Sequence, residues 1–392
     1  MKMTSFTPPE RLLMGPGPSH IDERVLQAMA RPTIGHLDPE FIRLMDEIKG
    51  GLQGLFLTDN ELTMPISGPG SAGQEATIVN LLEPGDTIVV CINGVFGGRL
   101  AEMASRAGAE VVTVEQEWGR AIDVDAVRAT MAAQKKVKVL AFVHAETSTG
   151  ARSDAEALAA LAHEYDALAL ADTVTSLGGV PVRVDDWGLD AVYSGTQKCL
   201  SCPPGLGPVT FSPAAVEVLK ARKTPVQSWF LDVTALMSYW GSGNKRAYHH
   251  TAPVNALYGL HEALVMLHEE GLEQTWARHA EASAAFVAGL EAMDLAPAVP
   301  AAERLPELIT MHVPDNVDEA AVRSALLDEH GIEIGAGLGP LAGQVWRVGL
   351  MGQSARLEHV CRLLDAFETV LGKQGMQLEP GAARAAATAA AT

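Results

Sequence analysis

Apolar and polar positions alternate in blocks through the middle of the chain, where short β-branched runs are separated by longer segments of helical periodicity. The longer segments carry apolar residues at spacings of three and four, and two of them begin near an aspartate suited to an N-cap. Such alternation predicts right-handed crossovers and a mostly parallel sheet covered by helices on both faces. The predicted strands are 86–92, 109–115, 137–143, 167–172, 190–195 and 207–212, with helices in 97–108, 123–134 and 153–166.

Beyond residue 253 the pattern changes to long helical segments, two strand-like runs and a helix at 317–330 between them. This order predicts a smaller α+β domain after a large α/β domain, as the length of 392 residues favours. The alanine-rich end is low in complexity and predicts a mobile tail. The predicted division is an N-terminal arm at 1–20, a large domain at 21–255, a small domain at 256–374 and the tail at 375–392.

The composition of the chain bears on its partners and its location. The chain is 47% hydrophobic and 20% charged, which is typical of a folded protein of enzyme size. Its net charge of −19 argues against nucleic acid and against an anionic membrane surface as partners. Because the sequence has no apolar run of about 18 residues and no targeting signal at either end, we expect a cytoplasmic protein.

The cysteines predict neither a disulfide framework nor a zinc site. Cys199 and Cys202 form a C-x-x-C pair, which can be half of a zinc site or a redox pair. A second pair at the spacing of a zinc finger is missing from the sequence, and the pair runs into Pro203-Pro204-Gly205 rather than into a helix. We therefore expect two ordinary buried thiols.

A glycine motif precedes one predicted helix. Gly68, Gly70 and Gly73 match G-x-G-x-x-G, the pattern of a dinucleotide-binding turn. The acidic residue that should end the next strand of such a site is replaced by Asn93, so the match is weak. The glycines and Ser71 still suit an anion at a helix start, and a loop without a ligand is the alternative.

Two chemically active residues follow neighbouring predicted strands. Asp172 closes the run at 167–172, and Lys198 comes just past the strand at 190–195. Parallel strands bring both residues to one rim of the sheet, although a capping aspartate and a surface lysine are the simpler interpretations of each alone. Together with the glycine motif, they suit pyridoxal phosphate, which needs a lysine for a Schiff base, a carboxylate for its ring nitrogen and amide donors for its phosphate.

Eight motifs occur in order between residues 11 and 370: GPGPS, SGPGSAGQEA, NGVFGGR, HAETSTG, DTVTSLGG, DDWGLDAVYSGTQKCLSCPPGLG, YHHT and WRVGLMG. Together they resemble the class V aminotransferases of the alanine–glyoxylate and serine–glyoxylate type. The resemblance implies an α/β protein of the type I pyridoxal phosphate-dependent transferase fold, with a large domain built on a mostly parallel seven-stranded sheet and a smaller C-terminal domain. It also implies a homodimer with the active site at the subunit interface.

The same resemblance implies a role for individual residues. Lys198 forms the Schiff base and moves the proton, Asp172 is the partner of the ring nitrogen, and Arg347 holds the substrate carboxylate. Val174 lies beneath the ring, while Phe96 can stack on it but cannot donate the hydrogen bond of an indole. The remaining cofactor contacts are Thr147 at the phenolic oxygen, Gly70, Ser71 and Gln197 at the phosphate, and Tyr248 and Thr251 from the other subunit.

The implied activity is a ping-pong transfer of the amino group of alanine or serine to a 2-oxo acid, with glyoxylate favoured. Ureidoglycine or pyridoxamine as the donor stays open. A cysteine desulfurase is a less favoured alternative because Cys361 lies in a helical pattern, and a nicotinamide-dependent dehydrogenase would leave Lys198 without a role. We expect no metal, because His249 and His250 are adjacent on an extended segment and point in opposite directions.

Overall fold

The computed structural model describes residues 3–241 and 246–391 of the chain. In these residues the strands are β1 Leu12–Leu13, β2 Leu62–Ser67, β3 Thr87–Ile92, β4 Glu110–Glu115, β5 Val139–Val143, β6 Ala145–Glu146, β7 Ala151–Arg152, β8 Leu168–Asp172, β9 Ala191–Tyr193, β10 Leu206–Phe211, β11 Leu308–His312, β12 Ile332–Glu333, β13 Gly335–Ala336 and β14 Val345–Gly349.

The helices of the same residues are α1 Glu23–Met29, α2 Pro39–Phe56, α3 Gly70–Leu81, α4 Val95–Arg106, α5 Val124–Ala133, α6 Ala155–Glu164, α7 Val184–Trp187, α8 Pro213–Lys220, α9 Val233–Trp240, α10 Val254–Glu270, α11 Leu272–Ala292, α12 Glu319–His330, α13 Leu357–Lys373 and α14 Ala382–Ala390. Asp123 and Asp154 cap α5 and α6 through side-chain hydrogen bonds, as the sequence predicts. None of these helices is long and apolar enough to span a bilayer.

A seven-stranded sheet forms the centre of the described chain, in the order β2-β10-β9-β8-β5-β3-β4. Strands β3, β4, β5, β8 and β9 pair in parallel, while β10 is antiparallel to both of its neighbours. Every residue of β5 is buried, as expected for a strand covered on both faces. The α/β class and the mostly parallel sheet predicted from the apolar pattern are confirmed.

Strand β2 is the strand of this sheet that the apolar pattern does not predict. It lies at the edge of the sheet and pairs with β10, where Pro65 faces Pro208. Proline has no backbone N–H to donate, so an edge strand tolerates it better than a central one. The proline that conceals the strand in the sequence is therefore compatible with its place in the fold.

The parallel pairing brings the carboxyl ends of β5, β8 and β9 together. In the register of these strands, Asp172 is paired with Val143 on one side and with Tyr193 on the other. Paired residues of neighbouring strands point to the same face, so these three side chains are neighbours. The chain that leaves β9 leads directly to Lys198, which confirms the predicted rim position of this residue.

A second hydrophobic cluster lies around the sheet β11-β14-β13 and includes residues of α11, α12 and α13. The N-terminal arm joins this cluster, since Leu12 and Met14 are buried in it and β1 pairs in parallel with β12. Helix α10 instead packs Leu257 and Leu260 into the first cluster, although it begins at Val254, beside the predicted domain limit. The domain limits stay predictions.

The alanine-rich end differs from the predicted mobile tail, because it forms α14 and packs against α11 and α13. Ala383 and Ala387 are fully buried, one helical turn apart, and their small side chains allow close contact between the helices. The carboxylate of Glu368 accepts hydrogen bonds from the N–H groups of Gly381 and Ala383, at 2.8 and 3.0 Å. Alanine favours helices strongly, so low complexity was a poor guide to mobility here.

Trypsin tests the packing of this helix, because Arg384 lies within it and pairs with Asp365. We expect slow cleavage after Arg384 in the native protein and cleavage roughly tenfold faster in Ala387→Glu, which buries a charge and detaches the helix. The matched control is Ala390→Glu at an exposed position of the same helix, which should be cleaved at the native rate. Rapid cleavage of the unmodified chain, measured by mass spectrometry, would mean that the tail is mobile after all.

Candidate active site

A cavity of about 270 Å³ lies at the carboxyl ends of β5, β8 and β9. Most of the residues predicted from the sequence line it, namely Gly70, Ser71, Phe96, Thr147, Asp172, Val174, Gln197 and Lys198. Its wall also contains residues that the sequence reasoning did not single out, namely Gln74, Arg99, Val143, Ala145, Thr175 and Tyr193. The structure thus collects the predicted cofactor-binding residues of one chain in a single cavity, apart from Tyr248 and Thr251.

Lys198 is buried, and its amine donates a hydrogen bond to the carbonyl of Pro16 in the N-terminal arm. Burial is the main cause that lowers the pKa of this amine to about 8, and the positive charge of Arg347 lowers it further. Gly17 permits the contact, since its φ is +109° and a Cβ there would lie 2.8 Å from Lys198 Cε. The Ser19 hydroxyl, also in the N-terminal arm, donates a hydrogen bond to the Lys198 carbonyl at 2.6 Å and so holds the arm beside this lysine.

Asp172 ends β8 with a buried carboxyl group that accepts two hydrogen bonds. The backbone N–H of Val174 donates to Oδ1 at 2.8 Å, and the hydroxyl of Tyr193 donates to Oδ2 at 2.6 Å. Burial raises the pKa of this carboxyl to about 7, while the two hydrogen bonds and the nearby Lys198 oppose that rise. The carboxyl is thus poised between its neutral and ionised forms near neutral pH.

The start of α3 forms the other end of the cavity. Gly70 is its first residue, where a Cβ would lie 3.3 Å from both Ser194 O and Val174 Cγ2, and no side chain caps the helix. Gln74, one turn later, is buried and its Nε2 has no hydrogen-bond partner among the described residues. Buried Oε1 of Gln197 also lacks one within those residues. The uncapped N–H groups of the helix start suit an anion, whereas Gln197 Oε1 is an acceptor that needs a donor.

Arg99 is a cation of the cavity wall that the sequence reasoning missed. It follows Phe96 by three positions on α4, so both side chains share one face of the helix. Its guanidinium carbon lies 4.9 Å from the centroid of the Phe96 ring, and its Nη1 donates to Ser71 Oγ at 3.3 Å. Among the described residues, Arg99 forms no ion pair. The spacing from Phe96 was the signal available in the sequence.

Glu146 is a buried acid that the sequence reasoning also missed. Its carboxylate accepts hydrogen bonds from the N–H groups of Phe96 and Gly97 at 3.1 and 3.3 Å, and from the Ser148 hydroxyl at 2.6 Å. Burial raises the pKa of this carboxyl, and the hydrogen bonds oppose the rise. Since the bonded amides begin α4, the acid fixes the helix that carries Phe96 and Arg99.

Arg347 belongs to the second sheet and lies behind the cavity wall, not among the lining residues. It lies on β14, is buried, and donates from Nε to the Ala336 carbonyl at 2.7 Å and from Nη1 to the Thr147 carbonyl at 2.8 Å. Thr147 lines the cavity, so these bonds hold the guanidinium beside the cavity wall. Burial lowers the pKa of Arg347 to about 10, and the charge of Glu146 opposes that shift.

Tyr248 and Thr251 do not line the cavity of their own chain. The Tyr248 side chain is 59% exposed, and its hydroxyl lies 3.4 Å from Thr251 Oγ1. In the same segment, the ring of His249 stacks on exposed Trp229 at 4.4 Å between centroids. The sequence prediction that His249 and His250 point in opposite directions is wrong, because their Nδ1 atoms lie 2.9 Å apart. The Nε2 of His250 lies 2.7 Å from Ser67 Oγ.

Chains of known activity share both the sequence and the fold. An alanine–glyoxylate aminotransferase from Callithrix jacchus is 42% identical over 93% of this chain and 88% of its own length. The crystal structure of an alanine–glyoxylate aminotransferase from Nostoc sp. is 48% identical, with a TM-score of 0.92 over 95% of this chain and 98% of the other. That of a ureidoglycine–glyoxylate aminotransferase from Bacillus subtilis is 38% identical, with a TM-score of 0.96 over 99% of each chain.

These structures confirm the type I fold that the motifs imply, since the alignments extend over nearly the whole of each chain. The sequence profile of the family described as aminotransferase class-V matches residues 12–362, which include every site residue named above. The matched segment thus contains both the central sheet and the second sheet that carries Arg347. This chain therefore belongs to the class V aminotransferases.

Proposed function

We propose that this aminotransferase transfers the amino group of alanine to glyoxylate, with pyridoxal phosphate bound in the cavity around Lys198. The observation that carries the proposal is that a buried lysine, a buried carboxyl and an uncapped helix start line one cavity. The similar proteins support the choice of substrates, because glyoxylate is in the names of all three and alanine in the names of two. Serine is the second donor that the sequence favours.

The polar groups of the cavity fit this cofactor. Gln74 lines the cavity with a buried Nε2 that has no partner within the described residues, and an oxygen of the cofactor would accept a hydrogen bond from this donor. The unpartnered Oε1 of Gln197 is an acceptor, so Gln197 would bind the phosphate through its Nε2 group instead. Because Gly70 has no side chain, the start of α3 stays accessible to the phosphate. Arg99 adds a positive charge beside Ser71 at the same end.

Each predicted residue has a part in holding the cofactor. Lys198 would attach it covalently through its amine, and Asp172 would face the ring nitrogen. Val174 and Phe96 would pack against the two faces of the ring. When bound, the cofactor supplies an electron sink and holds the amino group between the two half-reactions. The remaining contacts are Thr147 at the phenolic oxygen and Gly70, Ser71 and Gln197 at the phosphate.

Lys198 and Arg347 would act on the substrate. A pKa of about 8 leaves a larger neutral fraction of the Lys198 amine near neutral pH than an ordinary lysine has, so the amine can take a proton from the substrate carbon and return it. Arg347 would bind the substrate carboxylate in a bidentate pair. Since alanine and glyoxylate each carry one carboxylate, a single arginine serves both half-reactions in turn. A cavity of about 270 Å³ that also holds a cofactor favours such small substrates.

Ureidoglycine is a further candidate for the donor, after alanine and serine. The structural match to the Bacillus subtilis ureidoglycine–glyoxylate aminotransferase, with a TM-score of 0.96, supports it. A panel of alanine, serine and ureidoglycine, each assayed with glyoxylate, ranks the donors by kcat/KM, and we expect alanine to be used best.

A desulfurase needs a cysteine nucleophile that reaches the substrate, and the cysteines of this chain do not fit that role. Cys91, Cys199, Cys202 and Cys361 are all free and buried. Burial raises the pKa of the Cys202 thiol to about 12, so the reactive thiolate is scarce. Cys361 is buried within α13, a helix whose neighbouring residues Val360 and Leu364 belong to the second cluster.

We also propose that the enzyme is a homodimer in which Tyr248 and Thr251 reach the phosphate in the partner's cavity. Both lie outside the cavity of their own chain, and Tyr248 is exposed. Trp229 and Phe230 are exposed nearby, so this surface is aromatic and apolar. A surface of this kind on an otherwise acidic protein supports an interface between copies of the chain.

Lys198→Ala tests the cofactor and the activity together. After incubation with pyridoxal phosphate, we expect the native protein to show visible absorbance that borohydride bleaches. The reduced cofactor should then be found attached to Lys198 by mass spectrometry. The variant should lose this signal and its alanine–glyoxylate activity by about a thousandfold or more, because it lacks the attaching amine and the proton carrier. Lys220→Ala, at an exposed lysine, should retain both. A colourless native protein, or an active Lys198→Ala variant, would refute the proposal.

Arg347→Gln should raise KM for alanine and for glyoxylate by roughly a hundredfold, since a bidentate charge pair is lost. The cofactor should stay bound, as its absorbance will report. Arg356→Gln, an exposed arginine, provides the control and should leave both constants unchanged. Loss of the cofactor from the Arg347 variant, with KM unaltered, would assign this arginine to the cofactor rather than the substrate.

Tyr248→Phe tests the interface. We expect the native protein to sediment as a dimer and the variant to bind pyridoxal phosphate about tenfold more weakly, because one hydrogen bond to a charged phosphate is lost. Tyr165→Phe should bind it normally, because the Tyr165 hydroxyl contacts the Arg128 carbonyl and does not line the cavity. A monomeric native protein, or unchanged binding in Tyr248→Phe, would contradict the shared site.

A further inference from the structure

Tyr193 makes a side-chain contact with Asp172 that none of the roles above explains. Its hydroxyl donates to Asp172 Oδ2 at 2.6 Å, and both side chains are at least 96% buried. The contact follows from the topology, because the parallel register of β8 and β9 pairs these two residues. On its other side, Asp172 is paired with Val143 of β5, which has no polar group to offer. Tyr193 is thus the side-chain donor that the sheet provides.

Each oxygen of the Asp172 carboxyl accepts one hydrogen bond. Val174 N–H occupies Oδ1 and Tyr193 occupies Oδ2, so the carboxyl plane is fixed from two directions. The Thr173 amide and hydroxyl both donate to the Tyr193 carbonyl, at 2.9 and 3.0 Å, which anchors the backbone of the tyrosine. Helix α3, which carries the cavity residue Gln74, packs on β9 and so covers the strand that ends with Tyr193. Neither partner has much freedom to turn away.

The charges around Asp172 make this donor important. Glu146, the last residue of β6, raises the pKa of Asp172, and Lys198, after β9, lowers it. Burial outweighs both and brings the pKa to about 7 even with the tyrosine in place. Burial and the Asp172 charge raise the pKa of Tyr193 well above its ordinary value, so the phenol stays protonated and remains a donor at every working pH.

We propose that Tyr193 is a positioning residue that keeps Asp172 ionised and turned toward the ring nitrogen of the cofactor. This inference rests on the proposed cofactor, because only a protonated ring nitrogen makes the ionised form of Asp172 necessary. Without the phenol, the buried carboxyl would take up a proton at higher pH, and a neutral carboxylic acid is a poor partner for a protonated ring.

Tyr193→Phe, which removes one oxygen and keeps the ring, tests the proposal. The dissociation constant of pyridoxal phosphate is measured by absorbance on the apoprotein between pH 6 and pH 9. In the native protein, binding should weaken as the pH falls through about 7, where Asp172 takes up its proton. In the variant this transition should move to higher pH, so that binding is about tenfold weaker at pH 7 and nearly equal at pH 9.

An analogue of the cofactor in which CH replaces the ring nitrogen separates positioning from packing. It cannot use the charge of Asp172, so the native protein and Tyr193→Phe should bind it equally at every pH. Tyr165→Phe serves as the matched control, with the native pH profile for both ligands. Weakening by the same factor at every pH, or an equal loss for the analogue, would mean that Tyr193 only fills space and would overturn the proposal.

The Asp172→Asn background provides a second test if the single variant does not fold. Tyr193→Phe should cause no further change in cofactor affinity there, because the carboxyl on which it acts is gone. An additional loss would overturn the inference. Failure of the native protein to bind pyridoxal phosphate would refute the proposed function instead, so the two failures are distinguishable.

Discussion

The burial of the Asp172 carboxyl at the end of β8 is the constraint on which the site depends. A carboxylate in apolar surroundings is costly unless donors and cations meet it. The turn that follows the strand supplies the Val174 amide, the neighbouring strand supplies Tyr193, and the next loop supplies Lys198. Since β8 and β9 pair in parallel and in register, the carboxyl and its donor come together as the sheet forms. The pairing of two strands thus fixes the position of the central acid and supplies one of the donors that oppose its protonation.

The site also depends on the docking of the two hydrophobic clusters. Asp172 belongs to the central sheet, whereas Arg347 belongs to β14 and donates to the carbonyl of Thr147, a residue of the cavity wall. The N-terminal arm connects the same parts, because Met14 is packed in the second cluster while Pro16 accepts a hydrogen bond from Lys198. The lowered pKa of the lysine therefore belongs to the assembled chain, since both its burial and the arginine charge require the two clusters to meet.

The sequence predicts those parts of the site that depend on strand order. Buried parallel strands are continuous apolar runs, so the residues that end them, such as Asp172, and those that soon follow them, such as Lys198, can be identified. Tyr193 was missed because its contact is made across strands, in a register that one strand does not disclose. Glu146 was missed because it binds the start of a helix that is distant in sequence. Pro65 conceals β2, and alanine content conceals the packing of α14, because both effects depend on tertiary neighbours.

The net charge of the chain repels anions, whereas the cations beside the cavity attract them. A net charge of −19 repels small carboxylates at long range, but salt screens that repulsion beyond about 8 Å at physiological ionic strength. The cations beside the cavity, Lys198, Arg347 and Arg99, act at short range, and burial protects the first two from screening. Glu146 offsets part of this charge, yet the amides at the start of α4 already bind its carboxylate. Anion recognition is consequently decided inside the cavity, which would let an acidic protein bind small carboxylates and the phosphate of the proposed cofactor.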